Sequence, residues 1–562
     1  MGNRPLAVRL LGAGLASGLL AACSGGGTVA PAAPQTRPQA TARVTFTMNW
    51  NDPSGQSLRR TPKYVPASAR SVGVAVNGGT AQVLNNPATT LAIDAPVGND
   101  TFGFVLYDAA NGSGNVLSRA TVTQAIVLAT ANTVSAVLNG VVASLAVALS
   151  NASPNAGTPA TVNVNVTAKD ADGNTIIGSA NYSAPIMLAV NDPSSSGMLA
   201  LSTTTVASPA AAPTLTYSGG ALNSGLAGGP TVTVVASATG IAPASAPFTP
   251  APTFYQFAIP VGTNKPQWIA AGSDGNMWFT ESPGNAVARI TPSGTVTEFP
   301  IPTAASNPQG IIGASDGNLW FTEFATNKIG KLTPAGVYTE FATLLTPPDG
   351  PNGLVDRGDG TVWYAATSGD RIGFQGITSG VSGETAVTTP NAQPFWIAAG
   401  VDNNLYFTES APGIDKIGRT SGIFGTIGEV ALTAGSTPQQ IVRGADGNLW
   451  FIEAGNGGSR TGMIGRLSPS TFTVINEFAP ATATAFNSGN AGIATGLDGA
   501  MWFTEPNADR IGRVTMSGIV SEFVSPVTGL GMKGIAVGPD GSLWIAETGT
   551  GGNPGRIGRF VY

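Results

Sequence analysis

The sequence predicts an all-β chain, a seven-bladed β-propeller preceded by two β-sandwich modules. Three observations carry this: an aromatic-centred motif recurs seven times towards the C-terminus, short alternating apolar runs fill the middle, and no useful stretch has a helical period. At 562 residues the chain far exceeds the roughly 150 of a single domain, so several folded units are expected. Charged residues make up only 10% and glycines number 75, so hydration of the surface falls to Ser, Thr, Asn and backbone. The 26 basic and 31 acidic residues give −5 with no Lys/Arg run, which leaves nucleic acid without the cations it needs. Histidine is absent altogether, removing the commonest general acid–base group, metal ligand and pH switch.

Residues 1–23 read as an export signal. Arg4 and Arg9 precede an apolar run from Leu10 to Leu20 that is too short to span a bilayer, followed by small residues. Leu20-Ala21-Ala22-Cys23 resembles the lipobox of bacterial lipoproteins, and Cys23 is the single cysteine of the chain. Acylation there predicts a partner in the membrane, and Ser24 in place of an inner-membrane retention aspartate points to the outer membrane or cell surface. Residues 24–42, rich in Gly, Ala, Pro, Thr and Gln, lack apolar bulk and read as a tether.

Residues 43–140 form the first expected β module, with alternating runs such as Val72–Val76 and Phe102–Leu106 separated by Asn77-Gly78-Gly79 and Asn111-Gly112. The second, residues 141–252, has its clearest strands at Val162–Ala168 and Thr231–Val235. Both resemble bacterial immunoglobulin-like sandwiches. Asp170-Ala171-Asp172-Gly173-Asn174 reads as a hairpin turn, since the downstream bidentate glutamate of a calcium loop is missing.

From residue 253 to 562 the repeat dominates. Asp274-Gly275-Asn276-Met277-Trp278-Phe279-Thr280-Glu281 is followed by copies led by Asp316, Asp359, Asp402, Asp446, Asp498 and Asp540. The spacing of about 44 residues is that of a four-stranded propeller blade. Each copy carries four β segments, with Asp-Gly as the turn between the first two. The last copy ends three strands into its blade, at Arg556–Phe560, while Tyr255–Pro260 matches the fourth-strand segment Thr297–Pro302. The early segment is therefore expected to complete the last blade and close the ring. The aromatic at Trp278, Trp320, Trp363, Tyr406, Trp450, Trp502 and Trp544 reads as inter-blade packing. Glutamate closes six copies, at Glu281, Glu323, Glu409, Glu453, Glu505 and Glu547, on the side of one channel mouth. These carboxylates either accept internal bonds and pair with cations such as Lys328, Lys416 and Arg510, or hold a divalent ion such as Mg or Ca.

The segments Pro-x-Gly-Ile, Asp-Gly-Asn-Leu-Trp-Phe-Thr-Glu, Asn-x-Ile-Gly-Arg and Thr-Glu-Phe resemble those of the virginiamycin B lyase family from about Phe254 to Tyr562. The resemblance implies a seven-bladed propeller. For members that open streptogramin lactones by elimination, it implies magnesium and two histidines in late Pro-His-Ala/Gly-Ile segments. Here those segments read Asn490-Ala491-Gly492-Ile493 and Met532-Lys533-Gly534-Ile535, so Ala491 and Lys533 stand at the histidine positions and Gly531 at that of an associated glutamate. Lys533 and Glu547 are the candidates for catalysis if the chain is an enzyme, and Glu505 and Glu547 for a metal.

The mouth is expected to present Gln267, Trp268, Gln309, Asn352, Phe395, Trp396, Gln439, Gln440 and Lys533. Amides beside aromatic rings suit a neutral, hydroxyl-rich ligand, though the two tryptophans could equally plug the channel. The reading is a membrane-anchored, monomeric binding module for a glycan, small molecule or protein partner. The alternatives are a metal-assisted lactone-opening lyase and a purely structural envelope protein.

Overall fold

The computed structural model describes residues 39–562 apart from 49, 51–65, 67, 135, 137, 178–180, 194, 223–225, 227–230, 261–263, 344–348, 423–424, 457–459, 482–485 and 487–489. The export signal, Cys23 and nearly all of the expected tether lie outside the described residues.

Alternation organises the N-terminal part. In Thr41–Thr47 every second residue is buried, as the period of a strand with one wet face demands. This strand pairs with Thr90–Pro96 and Asn132–Thr133 in one sheet, and the strands of a five-stranded sheet, among them Ser71–Val76 and Gly98–Tyr107, supply the other face. Val44, Phe46, Val72, Val74, Phe102 and Leu106 share one core between them. A second pair of four-stranded sheets, containing Ala160–Lys169 and Thr214–Tyr217 on one side and Ile186–Asn191 and Thr233–Ala238 on the other, encloses its own core of Val162, Leu188, Leu215, Tyr217 and Val234. Asp170 closes a turn here: its carboxylate accepts the backbone N–H groups of Asp172 and Asn174 at 3.1 and 2.9 Å, and Gly173 has φ +82°.

From Thr253 onward the chain makes seven four-stranded antiparallel sheets, here called blades 1 to 7. Their innermost strands are Pro266–Ala271, Pro308–Gly313, Pro351–Asp356, Pro394–Ala399, Pro438–Arg443, Ile493–Thr495 and Met532–Val537. Each neighbours the next, and the last neighbours the first, so the sheets form a closed ring. The outer strand of blade 7 is Thr253–Ala258, paired antiparallel with Arg556–Val561. Chain start and chain end of the ring thus meet in one sheet, and the edge an open array would expose is covered.

Each second-strand tryptophan packs against the following blade: Trp320 on Leu354 and Tyr364, Trp502 on Ile535 and Leu543, Trp544 on Ile269 and Phe279. The repeat motif fixes that indole from three sides. Trp320 Nε1 donates to Asp316 at 3.2 Å, Lys331 lies 5.3 Å from the ring centroid, and Phe341 of the fourth strand stacks on it at 5.5 Å. Trp450, Trp502 and Trp544 repeat the arrangement with Asp446, Asp498 and Asp540, the arginines Arg466, Arg513 and Arg559, and Phe478, Phe523 and Phe257. The Asp, the Trp, the Arg of Ile-Gly-Arg and the Phe of Thr-Glu-Phe are therefore one packing unit brought together by the antiparallel register.

The second pair of sheets docks on the closing blade. Tyr255 Oη donates to Ala156 O at 2.7 Å, Leu222 N donates to Tyr562 O at 3.1 Å, and Leu226 packs with Trp502 and Tyr562. Phe257 stacks on Trp544 at 5.6 Å and 15° across the seam of chain start and chain end. Phe257→Ala is expected to cost about 2–3 kcal/mol in equilibrium denaturation, because a large ring is removed without local collapse; a loss below about 0.5 kcal/mol would show that the seam does not rest on this pair.

Candidate functional site

A β-bulge opens the inner strand of six blades. In blade 1, Pro266 pairs with Glu281 but Ile269 already pairs with Phe279, so Gln267 and Trp268 occupy one extra position. Blades 2, 3, 4, 5 and 7 do the same. A bulge breaks strict alternation and re-aims two successive side chains. The first bulged residue is Gln267, Gln309, Asn352, Phe395, Gln439 or Lys533, and the second is Trp268, Gly310, Gly353, Trp396, Gln440 or Gly534.

The second positions fill the hub. Trp268 of blade 1 and Trp396 of blade 4 meet with ring centroids 4.1 Å apart and are only 3% and 5% exposed. The glycines between them are the counterpart of that bulk. A Cβ on Gly353 would lie 2.5 Å from the Trp396 ring, and one on Gly534 would lie 2.7 Å from Trp268 Cα. The two tryptophans therefore close the axis rather than offering an open platform.

Seven seams separate the blades, and each carries a side-chain hydrogen bond between neighbours. Thr280 Oγ1 donates to Gln309 O at 2.6 Å, Thr322 to Asn352 O at 2.8 Å, and Thr504 to Lys533 O at 2.7 Å. In blade 3, with Ala365 at the threonine position, and in blade 4, whose Thr408 accepts from Trp396 N, hydroxyls one residue beyond the motif bridge the seam: Thr367 donates to Pro394 O at 2.7 Å and Ser410 to Pro438 O. Blade 5 has Ile452 at the threonine position, and its seam is bridged by Gln439 and Gln440, which accept from Ala491 N and Ile493 N at 2.8 and 2.6 Å. Blade 7 has Ala546 there, and Lys533 Nζ reaches Gln267 Oε1 of blade 1 at 2.6 Å. Gln267 also donates to Lys265 O and Ser282 O.

Of the nine residues expected at the mouth, Gln267, Gln439 and Gln440 are thus engaged in holding the ring, and Trp268 and Trp396 fill its hub. Gln309 donates to Asn307 at 3.0 Å. Asn352 stands apart: it is 7% exposed, and its Oδ1 is buried without a hydrogen-bond partner. Phe395 and Lys533 remain half-buried. Burial and the nearby Lys265 push the Lys533 ammonium down to about 8.

The motif glutamates are enclosed within their blades, each 0% exposed. Their neighbours are fourth-strand glutamates that the sequence reading did not pair with them. Burial raises Glu323 to about 7 and Glu409 and Glu505 to about 8, assisted by Glu340, Glu429 and Glu522 respectively. Glu340 and Glu429 move the other way, because hydrogen bonds from Lys328 and Lys416, both at 2.8 Å, and from Thr303 and Thr389 outweigh their own burial. In the Glu323–Glu340 and Glu409–Glu429 pairs the inner carboxyl is thus pushed towards its protonated form beside a partner held ionised. Blade 7 has Gln256 in place of the fourth-strand glutamate, and its amide donates to Glu547 at 3.0 Å, in a slot where a Cβ on Gly558 would lie 2.4 Å from that carboxylate. The repeated Thr-Glu-Phe segment was the available signal for these pairs, but only the register across the intervening Ile-Gly strand reveals it.

Glu505 and Glu547, the metal candidates, belong to different blades: Glu547 accepts from Gln256 of its own sheet, and both oxygens of Glu505 are buried without a hydrogen-bond partner beside Glu522 of its own sheet. Among the described residues no group of three or more Cys, Asp or Glu side chains is placed to hold a metal ion. The donor set does not fit a magnesium site.

The virginiamycin B lyase family model matches residues 245–374 and 458–560. A solved structure of a streptogramin B lyase is 32% identical, over 55% of this chain and 97% of that one, with a TM-score of 0.49. A catalytically inactive His-to-Ala variant of virginiamycin B lyase from Staphylococcus aureus, with quinupristin, is 30% identical, over 56% of this chain and 100% of that one, with a TM-score of 0.50. No curated protein matches the chain.

The raised glutamates bind more protons in the folded than in the unfolded chain, so their contribution is fully present below about pH 4.5 and fades as pH rises through 7 to 8. The lowered Glu340 and Glu429 act oppositely, losing their contribution in acid. Melting temperature is expected to fall on the order of 5 °C or more between pH 6 and pH 9. Glu409→Gln, which imitates the amide–carboxylate pair of blade 7, should weaken that dependence; an unchanged slope would show that the carboxyl pairs do not share protons.

Proposed function

As a member of the virginiamycin B lyase family, to which the chain belongs through its β-propeller over roughly residues 245–560, this protein acts, we propose, as a binding module rather than as a lyase. The observation that carries this is the complete absence of histidine, with Ala491 and Lys533 at the positions where the family's lyases carry histidine. In the Staphylococcus relative, replacing a single histidine gives a catalytically inactive protein that is nonetheless found with quinupristin. Binding and chemistry are separable on this scaffold, and a chain without imidazole keeps the first. The commitment of Gln267, Gln439 and Gln440 to inter-blade bonds gives these amides a structural role in place of a catalytic one. The ligand is a polar molecule, a glycan or a protein segment, that lies over the seven-bladed mouth against Asn352, Gln309 and Phe395.

In this account Cys23 is lipidated and anchors the chain in the bacterial envelope, at the outer membrane. The two N-terminal sheet pairs are immunoglobulin-like spacers that carry the propeller away from the bilayer. No metal takes part.

One observation favours a second reading. Lys533 is pushed down to about 8, within reach of the pH range in which a lysine removes a proton beside a carbonyl. Elimination would then rest on Lys533 as base, with no histidine to protonate the leaving group.

These readings separate in one assay. Purified protein incubated with a type B streptogramin should leave the lactone closed, by chromatography, at the rate of buffer alone, and EDTA should leave the melting temperature unchanged. Ring opening that disappears in Lys533→Ala would establish the lyase reading instead.

A further inference from the structure

Many cations of this propeller sit against carboxylates. Lys328 and Lys416, both half-buried, pair with Glu340 and Glu429 at 2.8 Å, and Arg510, Arg513 and Arg559 are likewise matched. Lys533, at the mouth, does not. Its ammonium is half-buried at the mouth and bonds the neutral oxygen of Gln267, and among the described residues no carboxylate lies within ion-pair distance. The charge nearest to it is of the same sign, from the exposed Lys265 that precedes the bulge of blade 1.

A partly desolvated ammonium is stabilised by a counter-charge, and the described residues supply none here. Gln267 takes one of its three N–H donors, so two remain for another molecule. At pH 7 the group is still mostly protonated, since its titration is centred near 8. The same mouth holds the buried, unpartnered Oδ1 of Asn352, an acceptor that calls for a hydroxyl or N–H donor, and the half-buried ring of Phe395.

We propose that the mouth binds an anionic ligand through a carboxylate received by Lys533, with Lys265 as the second cation, and that the same ligand offers a hydrogen-bond donor to Asn352. This rests on the reading of the mouth as a binding surface and changes the charge expected of its ligand from neutral to negative. An acidic sugar and the free C-terminus of a peptide both present a carboxylate beside a donor, and the two are distinguished by the probes.

The test titrates the full-length protein with digalacturonate, with a tripeptide bearing a free C-terminal carboxylate, and with the methyl ester or amide of each. Calorimetry is the readout, supported by tryptophan fluorescence from the Trp268–Trp396 pair. At least one carboxylate probe should bind, its neutral counterpart should bind about tenfold more weakly or worse, and Lys533→Met should lose a similar factor while Lys533→Arg retains most of it. Digalacturonate binding would identify the acidic-sugar source, and tripeptide binding the peptide source. Equal binding of a probe and its neutral counterpart, or unchanged binding by Lys533→Met, would overturn the proposal. The comparison of acid with ester is made on the wild-type protein, so it decides the question even if a lysine variant does not fold. A neutral glycan such as cellotriose that binds where no carboxylate does would remove the anion site and leave the binding role standing; failure of every probe would remove both.

Discussion

Hydrogen bonds between neighbouring inner strands are what the rest of the propeller depends on. A ring of sheets has seven seams, and opening any one of them exposes the two faces that the tryptophans cover. Threonine at the end of the second strand seals three of the seven seams with one hydroxyl, and Thr504 both accepts from Gly492 N of its own inner strand and donates to Lys533 O of the next. Where that hydroxyl is replaced by Ile452 or Ala546, longer side chains from the inner strands take over the bond. The mouth is consequently built from groups whose first role is structural. A glutamine that already accepts a buried N–H cannot turn to a ligand without leaving that donor unpaired, which costs about 1–3 kcal/mol.

The scarcity of charge in the sequence has a structural counterpart. With 10% charged residues, the propeller holds several of its cations twice, against a carboxylate and over a ring, as Arg466 is held by Asp446 and Trp450. Its motif glutamates are buried inside their own blades, several beside a fourth-strand glutamate, Glu453 against Arg460 and Glu547 against Gln256, instead of standing as an open ring of negative charge. That arrangement accounts for the lack of a carboxylate cation site among the described residues, and it sets off Lys533, whose ammonium meets the Gln267 amide and, among those residues, no carboxylate.

Much of this was legible in the residues. The seven aromatic motifs, the Asp-Gly turns and the match of Tyr255–Pro260 to Thr297–Pro302 were enough to place the sheets, their number and the strand that closes the last of them, because each depends on local pattern. The site was less legible, since it depends on contacts between residues far apart in the chain. Trp268 and Trp396 are separated by three blades, and only the ring brings them to 4.1 Å. The bulge that turns Gln267 and Trp268 together towards the axis has no signature beyond a proline and a tight spacing. Lys533 was conspicuous in the sequence as a substitution, but its burial and its neighbour Lys265 follow from blade 7 meeting blade 1.

The claim on which this account turns is that the mouth amides hold the ring. It is tested most directly by the unfolding free energy of Gln440→Met, which keeps the side-chain volume and removes the acceptor that Ile493 N reaches at 2.6 Å. The account predicts a loss of about 1–3 kcal/mol, the cost of a buried N–H left without a partner. Wild-type stability in that variant would contradict it and return the amide to the ligand.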